Sequence, residues 1–288
     1  MSLIQDALRK LLALKPNAFE SVQSIQEDIR FAAPRADISD GIKKSCDVSV
    51  EYFQERQVIT LCPKNSQPTQ TLIYIHGGAF VHDLVSAHWH IIHAIIKRTG
   101  CRVVVPIYRL APYATIDSEL LILLDLYAQQ TDEVFVAGDS AGGNLSLVLA
   151  IALRNQNKPL PKAVFLFSPA LNWTLDNPNI SEVAPHDPML AKDGLAWCGQ
   201  AWAGSRAVSD PFVSPIFDHL NDLPPLHIYQ GTYDILYPDV QKLAEKLSMT
   251  NTPHKLHIFE KAFHVFMAAT FTLEAKKVFD DVAAVMKR

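Results

Sequence analysis

The 288-residue chain has no long apolar run, no basic excess and no long run of like charge. None of its apolar stretches approaches the roughly 20 residues that a membrane-spanning helix needs. The formal net charge is −4, and no basic patch marks a surface for nucleic acid. We therefore expect no stable membrane anchor and no nucleic-acid partner.

Cysteine is scarce, and the four residues form no closely spaced pair: Cys46, Cys62, Cys101 and Cys198. Isolated thiols of this kind favour a reduced, cytoplasmic protein. Residues 1–17 have apolar side chains at helical spacing, interrupted by charges, and no basic stretch precedes an apolar block. This segment predicts an amphipathic helix buried by packing in a cap, in preference to a helix that touches lipid, and it does not resemble a signal peptide.

The remaining chain is rich in apolar segments, and 49% of all residues are hydrophobic, enough for one large domain with a sizeable core. Eight segments have strand patterns: 46–53, 57–62, 69–78, 101–108, 134–138, 163–168, 226–231 and 255–260. Helical patterns lie between or after them: 86–99, 117–130, 141–155, 190–202, 238–250 and 272–287. Because strands apolar on both faces suit a parallel sheet covered by helices, the alternation predicts an α/β fold.

The stretch Gly138-Asp139-Ser140-Ala141-Gly142 lies between a strand pattern and a helix pattern and matches G-x-S-x-G. Small neighbours allow the sharp turn that exposes one serine, and the next helix directs free N–H groups towards it. A plain tight turn with an incidental serine is the alternative. The strand–turn–helix context favours Ser140 as a nucleophile.

A serine hydroxyl needs a base to remove its proton. His264 follows the last strand and Asp234 follows the strand 226–231, at the carboxyl ends where ligands of such sheets bind. We therefore expect His264 to be the base and Asp234 to orient it, with a solvated loop as the alternative for Asp234. The competing residues are expected inside strands, in a turn or at a helix start: His227, His254, His257 and Asp239.

The loop 74–80 follows another strand and contains His76-Gly77-Gly78. Acyl transfer needs N–H donors for the oxyanion, and glycines let backbone groups approach a substrate closely. A strand-ending turn without further function is the alternative.

Four motifs together resemble the hormone-sensitive-lipase-like esterase family of α/β hydrolases: His76-Gly77-Gly78-Ala79, Tyr108-Arg109-Leu110-Ala111-Pro112, Gly138-Asp139-Ser140-Ala141-Gly142 and Asp210-Pro211-Phe212-Val213-Ser214-Pro215. The resemblance runs from about residue 70 to 266. It implies an α/β-hydrolase fold, with an eight-stranded, mostly parallel sheet flanked by helices. It further implies N-terminal cap helices in residues 1–45 and a core in 46–288 that carries a cap insertion near 170–210.

The same resemblance implies carboxylester hydrolysis without a cofactor. Ser140 would be the nucleophile, His264 the base and Asp234 the acid. Backbone N–H groups of Gly77, Gly78 or Ala79, together with that of Ala141, would form the oxyanion hole. Two residues depart from the family pattern. Ala79 replaces a glycine and is expected to narrow the acyl pocket, and Tyr113 replaces an acidic residue and is expected to alter packing beneath the site.

Two other groups of residues could serve the site. The histidines of segment 82–93 include a pair at the spacing of zinc ligands, but no complete ligand set accompanies them, so we expect no metal. The large apolar residues near the insertion could form the substrate pocket or simply pack the cap onto the core: Trp173, Met189, Trp202 and Phe212.

These observations predict a serine carboxylesterase that acts on small, fairly apolar, short-acyl esters through an acyl-enzyme. An amidase or peptidase with the same triad is one alternative, and a non-catalytic ligand-binding protein is another. The expected partner is a small-molecule ester, and an edge strand near the C-terminus makes a homodimer possible.

Overall fold

A single eight-stranded sheet runs through the protein in the computed structural model, which describes residues 2–287. The strands are β1 (Cys46–Phe53), β2 (Arg56–Pro63), β3 (Gln70–Ile75), β4 (Arg102–Ile107), β5 (Glu133–Asp139), β6 (Val164–Phe167), β7 (Leu226–Tyr233) and β8 (His254–Phe263). Their order across the sheet is β1-β2-β4-β3-β5-β6-β7-β8. Strand β2 is antiparallel to β1 and β4, and the other neighbours are parallel. The predicted eight-stranded, mostly parallel sheet is confirmed.

Helices cover both faces of this sheet. They are α1 (Leu3–Leu12), α2 (Val22–Arg30), α3 (Asp40–Ser45), α4 (Ser86–Thr99), α5 (Ile116–Ala128), α6 (Ala141–Asn155), α7 (Ile180–Val183), α8 (Lys192–Ala203), α9 (Tyr237–Ser248) and α10 (Leu273–Met286). Successive strand residues point to opposite faces, so Leu72 packs with α4 and α10 whereas Ile73 packs with α5 and α6. The sheet thus separates two apolar cores, as its continuous apolar strands require.

The N-terminal segment contacts both the core and the insertion. In α1, the side chain of Gln5 is fully buried, and its Nε2 donates to the carbonyl of Phe266 at 3.2 Å and to Thr272 Oγ1 at 3.1 Å. Helix α2 packs against α8, and the N–H of Gly194 donates to the carbonyl of Phe19 at 3.0 Å. Residues 2–45 and the insertion are therefore joined over one region of the core.

The predicted helix near the N-terminus is present, but the expectation that packing buries its apolar side chains is wrong for four of the six in α1, which are exposed: Leu3, Ile4, Ala7 and Leu11. Leu8 and Leu12 pack on the core, whereas Leu3, Ile4 and Leu11 are 90%, 52% and 59% exposed. The reason is that α1 docks through Gln5 along a single narrow face. None of the helices within residues 2–287 is both long and apolar enough to cross a membrane.

Candidate active site

Ser140 lies in the turn between β5 and α6, with backbone angles φ 52° and ψ −119°. Two glycines make this turn possible. A Cβ at Gly138 would lie 2.3 Å from the carbonyl oxygen of Gly142, and one at Gly142 would lie 2.0 Å from that of Ile75. Both contacts are far below van der Waals distance, so the spacing of glycines around Ser140 follows from the close approach of β3, β5 and α6.

Asp234 and His264 follow the neighbouring strands β7 and β8 and meet at the carboxyl edge of the sheet. The Nδ1–H of His264 donates to Asp234 Oδ2 at 2.8 Å, and the N–H of Leu236 donates to Asp234 Oδ1 at 2.9 Å. Asp234 is fully buried and His264 is 5% exposed. With the proton of the neutral ring on Nδ1, the other ring nitrogen, Nε2, is the basic one.

The charge of Asp234 also sets the basicity of this histidine. Burial alone would lower the pKa of His264, but the Asp234 carboxylate and its hydrogen bond outweigh burial and raise the pKa above its ordinary value. The Asp234 carboxylate therefore stabilises the imidazolium that forms when the ring takes up a proton.

Ser140 and His264 open onto one cavity of about 980 Å³ together with Gly78, Ala79 and Met189. The structure thus brings together predicted residues that are up to 186 positions apart in the sequence, from Gly78 to His264. Most of the wall is apolar, and these large apolar side chains in it come from the N-terminal segment and the insertion: Leu8, Leu11, Leu12, Phe19, Phe31, Leu190 and Leu195. A cavity of this kind favours an apolar ligand.

Asp139 holds the glycine loop against the Ser140 turn. It is 2% exposed and accepts hydrogen bonds from Tyr74 Oη at 2.6 Å and from the N–H of Gly77 at 3.1 Å. His88 Nε2 lies 3.3 Å from its other oxygen. Burial would raise the pKa of Asp139, but His88 and the bond from Tyr74 outweigh it and hold the pKa below its usual value.

The contact with Asp139 separates the predicted oxyanion donors into one N–H group that is already hydrogen-bonded and three that are not, within the described part of the chain. The N–H of Gly77 is occupied by this carboxylate. The N–H groups of Gly78, Ala79 and Ala141 have no acceptor among residues 2–287. Ala79, which replaces the family's glycine, adopts a φ of 53°, in the left-handed region that glycine occupies without strain.

His76 supports the loop and takes no part in proton transfer. Its ring stacks on Tyr108 with centroids 4.4 Å apart, and its Nδ1–H donates to the carbonyl of Gly77 at 2.7 Å. Burial, with the nearby His88, lowers the pKa of His76 to about 3, so the ring stays neutral. Tyr108 Oη donates to the carbonyl of His76 at 3.0 Å, so the family motif that contains Tyr108 stabilises the glycine loop.

The expectation for Tyr113 is wrong. Its side chain is 88% exposed and lies on the surface, because Tyr113 belongs to the turn 111–113, in which its N–H donates to the carbonyl of Leu110 at 3.0 Å. It therefore cannot alter packing beneath the site.

The four residues considered for the pocket separate into two groups. Met189 lies in the cavity wall. Trp173 and Trp202 are 2% and 0% exposed and pack around Phe80, whose ring stacks on that of Trp202 at 4.3 Å. Phe212 lies beneath the guanidinium of Arg206 at 5.2 Å. These three aromatic side chains lie outside the cavity lining and join the insertion to the core.

A further carboxylate, that of Asp187, lies beside the site, and the sequence pattern does not indicate this position. Asp187-Pro188 reads as the turn before α8, and Asp187 Oδ1 does accept the N–H groups of Met189 and Leu190 at 2.8 and 2.9 Å. Its Oδ2 also accepts the N–H of Ile235, next to Asp234, at 2.8 Å. Burial and the charge of Asp234 raise the pKa of Asp187 to about 6. This long-range contact has no signature in local spacing.

Three of the four histidines of segment 82–93 have separate partners, and the fourth, His90, is exposed. His82 Nε2 lies 2.7 Å from Asp28 Oδ2, His88 contacts Asp139, and His93 Nε2 lies 3.2 Å from Ser45 Oγ. They do not converge on a common point.

The order of the strands and the position of Ser140 in its turn define the class of protein as an α/β hydrolase. A family model described as alpha/beta hydrolase fold matches residues 72–268. This chain belongs to that family, and the resemblance to hormone-sensitive-lipase-like esterases drawn from the four motifs is confirmed.

Proteins similar to this chain carry the names of ester hydrolases. An esterase of Acinetobacter venetianus is 29% identical over 223 residues, which cover 75% of this chain and 74% of that protein. A triacylglycerol lipase of Mycobacterium tuberculosis is 33% identical over 197 residues, covering 65% of this chain and 40% of that protein. The predicted enzyme class, carboxylic ester hydrolase, agrees with both.

Solved structures support the fold. A crystal structure of an esterase/lipase from an uncultured bacterium has a TM-score of 0.83 at 24% identity and covers 100% of this chain and 98% of its own. An esterase from the bacterial hormone-sensitive lipase family has a TM-score of 0.82 at 22% identity, with the same coverage.

Proposed function

We propose that this protein is a serine carboxylesterase that hydrolyses small, fairly apolar esters through Ser140, His264 and Asp234. The main support is the buried 2.8 Å hydrogen bond from His264 to Asp234, made by a histidine that shares its cavity with Ser140. A base that is already oriented by a carboxylate is what an unactivated serine hydroxyl requires.

In the proposed reaction, Ser140 Oγ attacks the ester carbonyl carbon while His264 Nε2 takes the hydroxyl proton. The N–H groups of Gly78, Ala79 and Ala141 donate to the resulting oxyanion. The tetrahedral intermediate collapses, the C–O bond to the alcohol breaks, and His264 returns the proton to the leaving oxygen. Water then attacks the acyl-enzyme by the same steps in reverse, so the cycle needs no cofactor.

The surroundings of the site support the remaining parts of this proposal. Residues 1–45 and 170–210 act as a cap, because both supply apolar side chains to the cavity wall. The methyl group of Ala79 lies in that wall and limits the acyl group that fits. The partner is a small ester in the cytoplasm, and strand β8, at the edge of the sheet, offers a surface for a homodimer.

The test compares wild type, Ser140→Ala and Ser146→Ala on p-nitrophenyl esters from acetyl to dodecanoyl. Ser146 is a matched control because it is buried in α6, six residues after Ser140, donates to the carbonyl of Gly142 at 2.7 Å and is not among the described residues that line the cavity. We expect Ser140→Ala to lose roughly 10⁴-fold or more of the rate, and Ser146→Ala to keep its activity. Activity highest on short chains supports a small acyl site.

Undiminished hydrolysis by folded Ser140→Ala would contradict the assignment. An active-site-directed organophosphonate tests the binding-only alternative, since it should label Ser140 in the wild type and leave a non-catalytic protein unmodified. Turnover of anilides at rates matching those of esters would favour an amidase.

A further inference from the structure

A second group of chemically active side chains lies far from Ser140. His227 on β7, His257 on β8 and Asp281 on α10 bring one nitrogen or oxygen atom each to within 4.8 Å of the others. His227 lies seven positions before Asp234, the residue that follows β7. His257 likewise lies seven positions before His264, the residue that follows β8. At the rise of a β-strand this places the cluster roughly 20 Å from the active site, in the amino-terminal halves of the same two strands.

The donor atoms have the identity and spacing of a metal site. His227 Nδ1 and His257 Nε2 lie 3.8 and 3.2 Å from Asp281 Oδ2. In a tetrahedral zinc site with bonds of about 2.0–2.1 Å, neighbouring donor atoms are about 3.4 Å apart. The three side chains are 14%, 18% and 23% exposed, so an ion can enter and a water molecule can complete the coordination.

Neighbouring groups hold two of these donors in place. Tyr229 Oη donates to Asp281 Oδ2 at 2.7 Å, and the ring of Tyr229 stacks on that of His257 at 4.6 Å. Hydrogen-bonded partners of this type orient the donors of metal sites. His257 Nε2 is buried and forms no hydrogen bond within residues 2–287, although it lies close to the carboxylate. An ion between the two would satisfy both.

We propose that His227, His257 and Asp281 bind one divalent transition-metal ion, represented by Zn²⁺, that links β7, the edge strand β8 and α10. The ion has a structural role, and the inference does not depend on the proposed esterase activity. One cation competes for the site, since Lys255 Nζ lies 3.3 Å from Asp281 Oδ1. The exposed lysine side chain turns away when the ion binds.

The test is titration of the chelator-treated full-length protein with Zn²⁺ by calorimetry, and with Co²⁺ by visible absorption. We expect one ion per chain, a rise in the unfolding temperature with Zn²⁺, and a cobalt spectrum without thiolate charge-transfer bands. His257→Ala should weaken binding on the order of 100-fold, and Tyr229→Phe about ten-fold. The matched control is His90→Ala, which removes an exposed histidine on α4 and should bind as the wild type does.

Lys255→Gln should change the Zn²⁺ affinity in the opposite direction to the other variants. Removing the competing ammonium should tighten Zn²⁺ binding by about three-fold or more. Tyr229→Phe keeps the ring and the fold, so its result remains interpretable if His257→Ala does not fold. Absence of Zn²⁺ binding, or equal affinity in the wild type and Tyr229→Phe, would overturn the proposal. A cobalt spectrum with thiolate bands would do the same, since it would place the ion on a cysteine.

Discussion

Two residues of the site have backbone conformations that residues with a Cβ atom rarely adopt. Ser140 has a φ of 52° and Ala79 a φ of 53°. Each such conformation costs on the order of 1–2 kcal/mol for a residue with a Cβ. The surrounding close contacts keep them there, and the result is that Ser140 and Ala79 line the same cavity.

A carboxylate that does not touch the histidine can still set its basicity. Burial lowers the pKa of His264, Asp234 raises it most, and the negative charge of Asp187 adds to the rise because it also favours the protonated form of the ring. Removing the charge by Asp187→Asn therefore lowers that pKa, and the neutral base persists to lower pH. We expect the acidic limb of the kcat/KM profile to move to lower pH in Asp187→Asn, measured on one p-nitrophenyl ester.

The matched control for this prediction is Asp193→Asn, which neutralises an exposed carboxylate at the start of α8 in the same insertion. Its profile should coincide with that of the wild type. If the acidic limb of Asp187→Asn stays in place or moves to higher pH, Asp187 does not act on His264 through its charge.

At the scale of elements, local patterns were sufficient for the sheet and for the positions of Ser140, Asp234 and His264. Strands such as β4 are apolar on both faces, and the polar residues that follow strands necessarily meet at the carboxyl edge. The packing of Trp173 and Trp202 was not predictable, because a large apolar side chain fits a cavity wall and a core equally well. Asp187 was missed because its contact with Ile235 joins segments 48 residues apart.

Helix α1 illustrates the same limit, since its docking includes a buried polar residue, Gln5, beside the apolar contacts of Leu8 and Leu12. The Nε2 of Gln5 donates to the carbonyl of Phe266, two residues after His264, while Leu8, Leu11 and Leu12 of the same helix line the cavity. Gln5→Ala removes the hydrogen bonds to the carbonyl of Phe266 and to Thr272 Oγ1, at a cost of about 0.5–1.5 kcal/mol for each bond. We expect α1 to open locally, which raises KM for longer-chain esters and leaves kcat for an acetyl ester nearly unchanged.

Amide hydrogen exchange of residues 3–12 provides an independent measurement of this opening. Gln23→Ala is the control, because Gln23 is an exposed glutamine on α2 that donates to Glu27 Oε1 at 2.9 Å. Equal exchange rates in Gln5→Ala and Gln23→Ala would show that Gln5 does not hold the helix in place.

At the scale of the whole molecule, one buried ion pair joins the antiparallel end of the sheet to the helices. Arg56 Nη2 on β2 lies 2.7 Å from Glu119 Oε1 on α5, and the two side chains are 8% and 1% exposed. Glu119 Oε2 also accepts the N–H of Arg109, in the motif that stabilises the glycine loop. A single carboxylate therefore connects β2, α5 and the surroundings of the active site.

Neutralising the Glu119 carboxylate tests how much the ion pair contributes to the free energy of unfolding. Glu119→Gln leaves the guanidinium of Arg56 buried without a counter-charge, so we expect a loss of about 3–5 kcal/mol in the free energy of unfolding. The control is Glu55→Gln, which removes an exposed carboxylate 3.2 Å from Arg109 and should cost less than about 1 kcal/mol. Urea unfolding of both variants measures the difference. Equal losses would mean that the buried pair contributes no more than a surface pair, and that apolar packing alone holds β2 to α5.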